Sequence, residues 1–240
     1  MIRGLRIKIL EFKKKTKLKN FYRQFIREDD LCFDIGANIG DRTETFLALK
    51  ARVVSVEPVK ESHSILLKKF AFDRNITILP IAIGSMLEER EIYISNYLEV
   101  CTLSKLFIEK YSNQKKYNIK WDEVRKVEIK TLDHLIEEYG FPAFCKIDVE
   151  GYELEVLKGL SVPLPLISYE YNARIKNIAL ECIKELTKFN SLSYNFSPYE
   201  SMKFSLNSWK NETEFYSYIE ELPEDIETGD IYVRFNERVN

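Results

Sequence analysis

The sequence is poor in the residues from which many binding motifs are made. It has two histidines and four cysteines. The cysteines stand at 32, 101, 145 and 182, so none form a C-x-x-C pair and none has a histidine at zinc-ligand spacing. Cys32 and Cys145 fall inside apolar, strand-like runs and read as small buried hydrophobes, which favours a reducing, cytoplasmic setting. No run of ~18 apolar residues exists, so no membrane-spanning helix is expected. The N-terminus is charged but is followed by no apolar signal-peptide core. A net charge of −2 supplies no basic field that would attract nucleic acid. Repeats, low-complexity tracts and linkers are also missing. What is left is a chain of 240 residues, enough for one α/β domain with one full core.

Against this background one stretch stands out, Phe33-Asp34-Ile35-Gly36-Ala37-Asn38-Ile39-Gly40. A short apolar run from Leu31 leads into it and a helix-like stretch, Asp41 to Leu49, follows. Strand, glycine turn and helix in this order let a ligand lie against bare backbone, facing the unpaired N–H groups and positive end of the helix. Asp34 adds a carboxylate at the strand end. The glycines read G-x-x-x-G, which fails the G-x-G-x-x-G dinucleotide fingerprint. Gly40 is followed by Asp41 rather than Lys-Ser/Thr, which fails the phosphate loop, and Asp41 would repel phosphate. A ligand that is not phosphate-rich remains. S-adenosylmethionine fits, with its zwitterionic amino-acid end, ribose hydroxyls and flat adenine. Ala37, Asn38 and Thr43 belong to the same turn and helix start and join Asp34, Gly36 and Gly40 as candidate cofactor contacts.

Further acids end further strands. Arg52 to Val56 is a buried strand closed by Glu57 and stopped by Pro58. Glu57 lies about 20 residues past the glycine turn, where a nucleoside-binding fold places the acid that accepts ribose hydroxyls. Ile76 to Gly84 reads as the third strand, with Ala82 and Ile83 giving apolar cover to the adenine. Phe144-Cys145-Lys146-Ile147 is another buried strand, closed by Asp148 and Glu150 before a helix, Glu153 to Leu160. A helix cap explains one of those two acids, hardly both. Leu166 to Asn172 is the fifth strand and carries Glu170. In open α/β sheets ligands sit outside the carboxyl ends of the strands, so Asp34, Glu57, Asp148, Glu150 and Glu170 are expected around one crevice.

Other segments are less specific. Residues 1–28 form a basic segment in which Ile2, Leu5, Ile9 and Phe12 recur at helical spacing among Arg3, Arg6, Lys8 and Lys13-Lys14-Lys15. Residues 1–19 suit either peripheral contact with an anionic membrane, at its inner face, or a packing helix with a solvated basic side. Phe21, Tyr22, Phe25 and Ile26 read as docking beside the first strand. Residues 107–123 break the α/β rhythm within an otherwise single domain over 29–240. Their aromatic and basic residues suit either a sugar or acidic acceptor or an ordinary surface excursion. Thr131 reads as a helix cap, and His63 and His134 as structural.

Taken together, Asp34-Ile-Gly-Ala-Asn-Ile-Gly40, Val56-Glu57-Pro58, Thr131-Leu132-Asp133 and Lys146-Ile-Asp-Val-Glu-Gly-Tyr-Glu153, with Leu157 and Gly159, resemble the FkbM family of methyltransferases. The resemblance runs from about Leu31 to Asn172, with Gly229-Asp230-Ile231-Tyr232 resembling the family's end. It implies a class I Rossmann-like methyltransferase fold with a mostly parallel seven-stranded sheet, S-adenosylmethionine as donor, and O-methylation of a sugar or natural-product hydroxyl. Asp148 is then a donor ligand or the base that takes the hydroxyl's proton, with Glu150 and Glu170 as the other candidate bases. A divalent ion on these three acids is the second route, and no metal is expected. Two readings from other classes compete. One is a Rossmann-type NAD or nucleotide-sugar oxidoreductase, opposed by the glycine spacing and by a Tyr-x-x-x-Lys pair, Tyr111 and Lys115, that falls in the irregular stretch. The other is a non-catalytic binding module.

Overall fold

The computed structural model describes residues 2–112 and 118–236, with side chains from Phe12 onward. The side chains of Ile2, Leu5, Ile9, Arg3, Arg6 and Lys8, and Lys115, Lys116 and Tyr117, therefore lie outside the described residues. The chain runs through α1 (Ile2–Tyr22), β1 (Leu31–Ile35), α2 (Asp41–Ala48), β2 (Arg52–Val56), α3 (Lys60–Lys69), β3 (Ile76–Leu79), β4 (Ala82–Ile83) and β5 (Glu88–Ile94). It continues through α4 (Lys105–Ser112), β6 (Glu123–Lys130), α5 (Leu132–Tyr139), β7 (Phe144–Ile147), α6 (Glu153–Lys158), β8 (Leu166–Asn172), α7 (Lys176–Leu186), β9 (Leu192–Pro198), α8 (Glu212–Glu220) and β10 (Thr228–Phe235).

The main sheet has seven strands in the order β3-β2-β1-β7-β8-β10-β9. The first five pair in parallel; β10 runs antiparallel to both β8 and β9. The chain order reverses direction between β1 and β7, so their carboxyl ends open a crevice there. β1 and β7 are buried at every position, which is why they read as mostly apolar runs rather than alternating ones. Leu31, Phe33 and Ile35 join the larger core under α5–α8, whereas Cys32 faces the aromatic core of α1 and α2.

The stretch Ile76–Gly84 is two strands, not one. Pro80 has no N–H to continue the ladder. Ile76–Leu79 pairs with β2, while Ala82–Ile83 leaves the main sheet and pairs with Ile129–Lys130 of β6 in a separate three-stranded sheet, β4-β6-β5. The irregular stretch supplies α4, whose Tyr111 hydroxyl accepts a 2.7 Å hydrogen bond from Asn172 at the end of β8. Thr131 caps α5, its hydroxyl accepting from the His134 N–H at 3.1 Å.

The aromatic half of the basic segment is core. Leu18, Phe21, Tyr22 and Ile26 are buried against Phe46, Phe144 and Tyr232. Three of its lysines also bond to the protein. Lys14 pairs with Asp41 at 3.0 Å, Lys15 pairs with Glu44, and Lys17 donates to the Glu200 carbonyl at 3.0 Å. Phe12 remains largely exposed. No helix among the described residues is long and apolar enough to cross a membrane.

Candidate active site

The carboxyl ends of β1, β2 and β7 open onto a cleft of about 430 Å³, within the range of small-molecule sites. Its wall includes Asp34, Gly36, Ala37 and Asn38 from the glycine turn, Glu57 and Pro58 after β2, and Ala82 and Ile83 of β4. Asp148, Glu150 and Glu170 line it from β7 and β8. So the turn, the ribose candidate, the adenine cover and the three acids meet in one place.

Gly40 and Thr43 do not line the cleft. A Cβ at Gly40 would stand 2.6 Å from Leu66 and 2.8 Å from Phe70, so this glycine makes room for α3 rather than for a ligand. Thr43 acts one step back. Its hydroxyl donates to Asp34 Oδ2 at 2.5 Å and lies 2.7 Å from the Ser55 hydroxyl. That fixes the Asp34 carboxylate, which burial pushes above its ordinary value.

Gly36 differs from its sequence reading in another way. Its φ is +81°, and a Cβ there would stand 1.8 Å from the Asp148 carbonyl oxygen. The close approach it permits is that of the chain's own backbone. The Asp148 N–H donates to the Ile35 carbonyl at 2.9 Å, which locks the ends of β1 and β7 together.

Glu57 is held at both oxygens. Oε2 accepts from the Asn38 N–H and Oε1 from the Val59 N–H, each at 2.8 Å. Burial outweighs these two bonds and pushes the group up to about 7. Each carboxylate oxygen keeps a second lone pair, so two acceptors remain for the two adjacent hydroxyls of a ribose. Beside it Asn38, at φ +48°, has a buried Oδ1 without a partner among the described residues. An orphan acceptor next to a spare carboxylate is a polar seat for hydroxyl or amino hydrogens. The residues present therefore fit a nucleoside donor.

The acids at the other end form a cluster. One carboxylate oxygen from each of Asp148, Glu150 and Glu170 lies within 4.8 Å of the others, a spacing compatible with a shared cation. Lys146, fully buried, reaches Asp148 Oδ2 at 3.0 Å and Asp230 Oδ1 at 3.0 Å. Burial alone would push its ammonium down; Asp148 and Asp230 outweigh it and hold the ammonium above its ordinary value. Strand alternation does place Lys146 on the opposite face from Ile147, yet its tip returns to Asp148. Burial, then repulsion from their acidic neighbours, raises Glu150 and Glu170 well above the ordinary carboxylate range.

The turn carrying Asp148 and Glu150 is shaped by a neighbouring acid. Glu153 Oε1 accepts from the Val149 and Gly151 N–H groups at 3.1 and 3.2 Å. The cap-like work thus falls to Glu153, and the Asp148 and Glu150 carboxylates are left to the cleft. Glu150 sits at φ +53°, its carbonyl accepting a 2.7 Å bond from the Thr102 hydroxyl. Sequence reasoning gave no site role to Thr102, Asp230, Arg42 or Glu200. Arg42 Nη2 donates to Glu200 Oε1 at 2.7 Å, and both line the cleft. Arg42 stands in the first turn after the glycine loop and was findable; Glu200, 158 residues away, carries no local signal.

The mostly parallel seven-stranded sheet, with a cleft at the carboxyl ends of its strands, is the class I methyltransferase fold. Residues 34–216 match the family described as Methyltransferase FkbM domain, and the chain belongs to that family. Methyltransferases of this family use S-adenosylmethionine as methyl donor. The chain is 30% identical over 147 residues to the hexuronic acid methyltransferase AglP of Haloferax volcanii, a match covering 59% of this chain. The match spans about half of that relative, 54% of its length. Among solved structures, the chain is similar to the O-methyltransferase of Bacillus cereus in complex with SAH, with 13% identity and a TM-score of 0.46. That match covers 94% of this chain and 81% of the other. It is also similar to Aeropyrum pernix fibrillarin with bound S-adenosyl-L-methionine, at 15% identity and a TM-score of 0.43, covering 87% and 68%.

Proposed function

We propose that the chain methylates a hydroxyl oxygen of a sugar or glycan precursor, an uronic acid or nucleotide-sugar being the first class to test. The observation that carries this reading is the convergence of Asp148, Glu150 and Glu170 on the same cleft as the nucleoside seat. A hydroxyl is a weak nucleophile until it loses its proton, and a positioned carboxylate contributes roughly 10² to 10⁴ in rate by taking it. Glu150 and Glu170, raised by burial and repulsion, are stronger bases than a solvated carboxylate. The relative AglP, whose name specifies a hexuronic acid, supports a sugar acceptor.

S-adenosylmethionine supplies an electrophilic methyl group when bound. Glu57 and Asn38 would hold its ribose, Ala82 and Ile83 would cover the adenine, and Asp34 with Asp148 would receive its ammonium. Lys146 holds the Asp148 carboxylate in place through its 3.0 Å contact. Glu170 or Glu150 would take the proton of the acceptor hydroxyl. Positioning acceptor and donor together in one site can contribute up to roughly 7–11 kcal/mol of the barrier reduction. The test is a screen with methyl-labelled donor over sugars, uronic acids, glycolipid precursors and nucleotide-sugars. Label in a base-stable ether product supports the reading. Transfer only to nitrogen, sulfur or a carboxylate overturns it.

A further inference from the structure

Arg42 is a cation with unfilled hydrogen-bonding capacity in the wall of the donor cleft. It stands in the first turn of α2, beside the Asp34-to-Gly40 loop. Its side chain is only 13% exposed. One nitrogen, Nη2, is tied to Glu200. Nε is buried and has no acceptor among the described residues, and Nη1 makes no hydrogen bond among them either. Guanidinium N–H groups buried to this degree are ordinarily bonded. A purely structural tie to Glu200, itself mostly exposed, accounts for one of its five donors.

From this we infer that Arg42, held in place by Glu200, is the residue that receives the carboxylate of the donor's amino-acid end. The inference rests on the proposed donor seat and assigns the one part of the ligand that seat leaves unmatched. An amino acid carries its ammonium and carboxylate on a single carbon, so a site for it needs an anion and a cation side by side. Asp34 supplies the anion, and the charge of Arg42 is among those that act on it. Both line the same cleft, and both flank the glycine turn. The rival source of a carboxylate is an acidic acceptor.

The test compares binding of S-adenosylmethionine with that of its decarboxylated analogue, which keeps the ammonium and loses only the carboxylate. Both are titrated calorimetrically into the full chain, as wild type, Arg42→Gln, Arg42→Lys and Glu200→Gln, after thermal melts confirm folding. In the wild type the analogue is expected to bind about 10- to 100-fold more weakly, the range of a hydrogen-bonded charge pair. Arg42→Gln should cost the parent compound that factor and leave the analogue unchanged. Arg42→Lys should restore part of the loss, and Glu200→Gln should weaken the parent compound selectively. Equal losses for both compounds would make Arg42 a structural tie and overturn the inference. Unchanged affinity for both would also overturn it and would leave an acceptor's carboxylate as the occupant. A wild-type chain that binds neither compound would strike the donor seat itself. One that binds both compounds equally tightly would strike only the role of Arg42.

Discussion

The carbonyl oxygen of Asp148 occupies the space where a side chain on Gly36 would begin, 1.8 Å from the position of a Cβ. The turn after β1 and the turn after β7 therefore interlock through backbone. Each of these two distant motifs needs the other's shape. Gly36→Ala is expected to destabilise the fold by on the order of 4 kcal/mol or more, since both the clash and the positive φ must be relieved. Urea denaturation of the soluble variant checks this, and a near-wild-type midpoint would contradict it.

The Lys146 pair with Asp230 predicts a second large effect. Lys146→Met leaves the buried Asp230 without its cation, and breaking such a pair costs about 3–5 kcal/mol. Adding Asp230→Asn should recover much of the loss. If the double variant is as unstable as the single one, packing rather than charge is responsible.

Glu153 predicts a pH dependence of stability. Burial raises it to about 7 from an ordinary value of 4.5. The folded chain therefore holds a proton that the unfolded chain has lost between those values, and stability falls as pH rises across that window. Only Oε1 is used by the backbone, so an amide oxygen can replace it. Glu153→Gln should raise Tm by a few degrees at pH 8 and change it little at pH 4.5. A uniform loss at both values would contradict the charge argument.

The same physics sets a pH dependence for donor binding. Glu57 at about 7 gains a proton as pH falls from 8 to 6, which removes acceptor capacity for the ribose. Affinity for S-adenosylhomocysteine should weaken across this range, and Glu57→Gln should bind more weakly and flatten the profile. Glu170→Gln and Glu150→Gln, in contrast, should keep donor affinity within about twofold while at least one lowers turnover by roughly 10² to 10⁴.

Much of the site was legible because the strands that carry it end in acids. Two-faced burial makes β1, β2 and β7 read as mostly apolar runs, and an acid at or just past the strand's end then marks the crevice. Glu57 and Asp148 were found this way. Pairing partners were not legible. Nothing in Ile76–Gly84 says that its last residues pair with Ile129–Lys130, because register is set by the partner strand and not by local spacing. The neighbours of the glycines were illegible for a related reason: Gly36 lines the cleft yet its missing Cβ makes room for Asp148, and Gly40 makes room for Leu66.

The most direct test of the donor seat is the structure of the chain crystallised with saturating S-adenosylhomocysteine. The two ribose hydroxyls are expected within hydrogen-bond distance of Glu57, the adenine against Ala82 and Ile83, and the sulfur turned towards Asp148 and Glu170. A nucleoside bound elsewhere, or a ribose that leaves Glu57 untouched, would contradict the site.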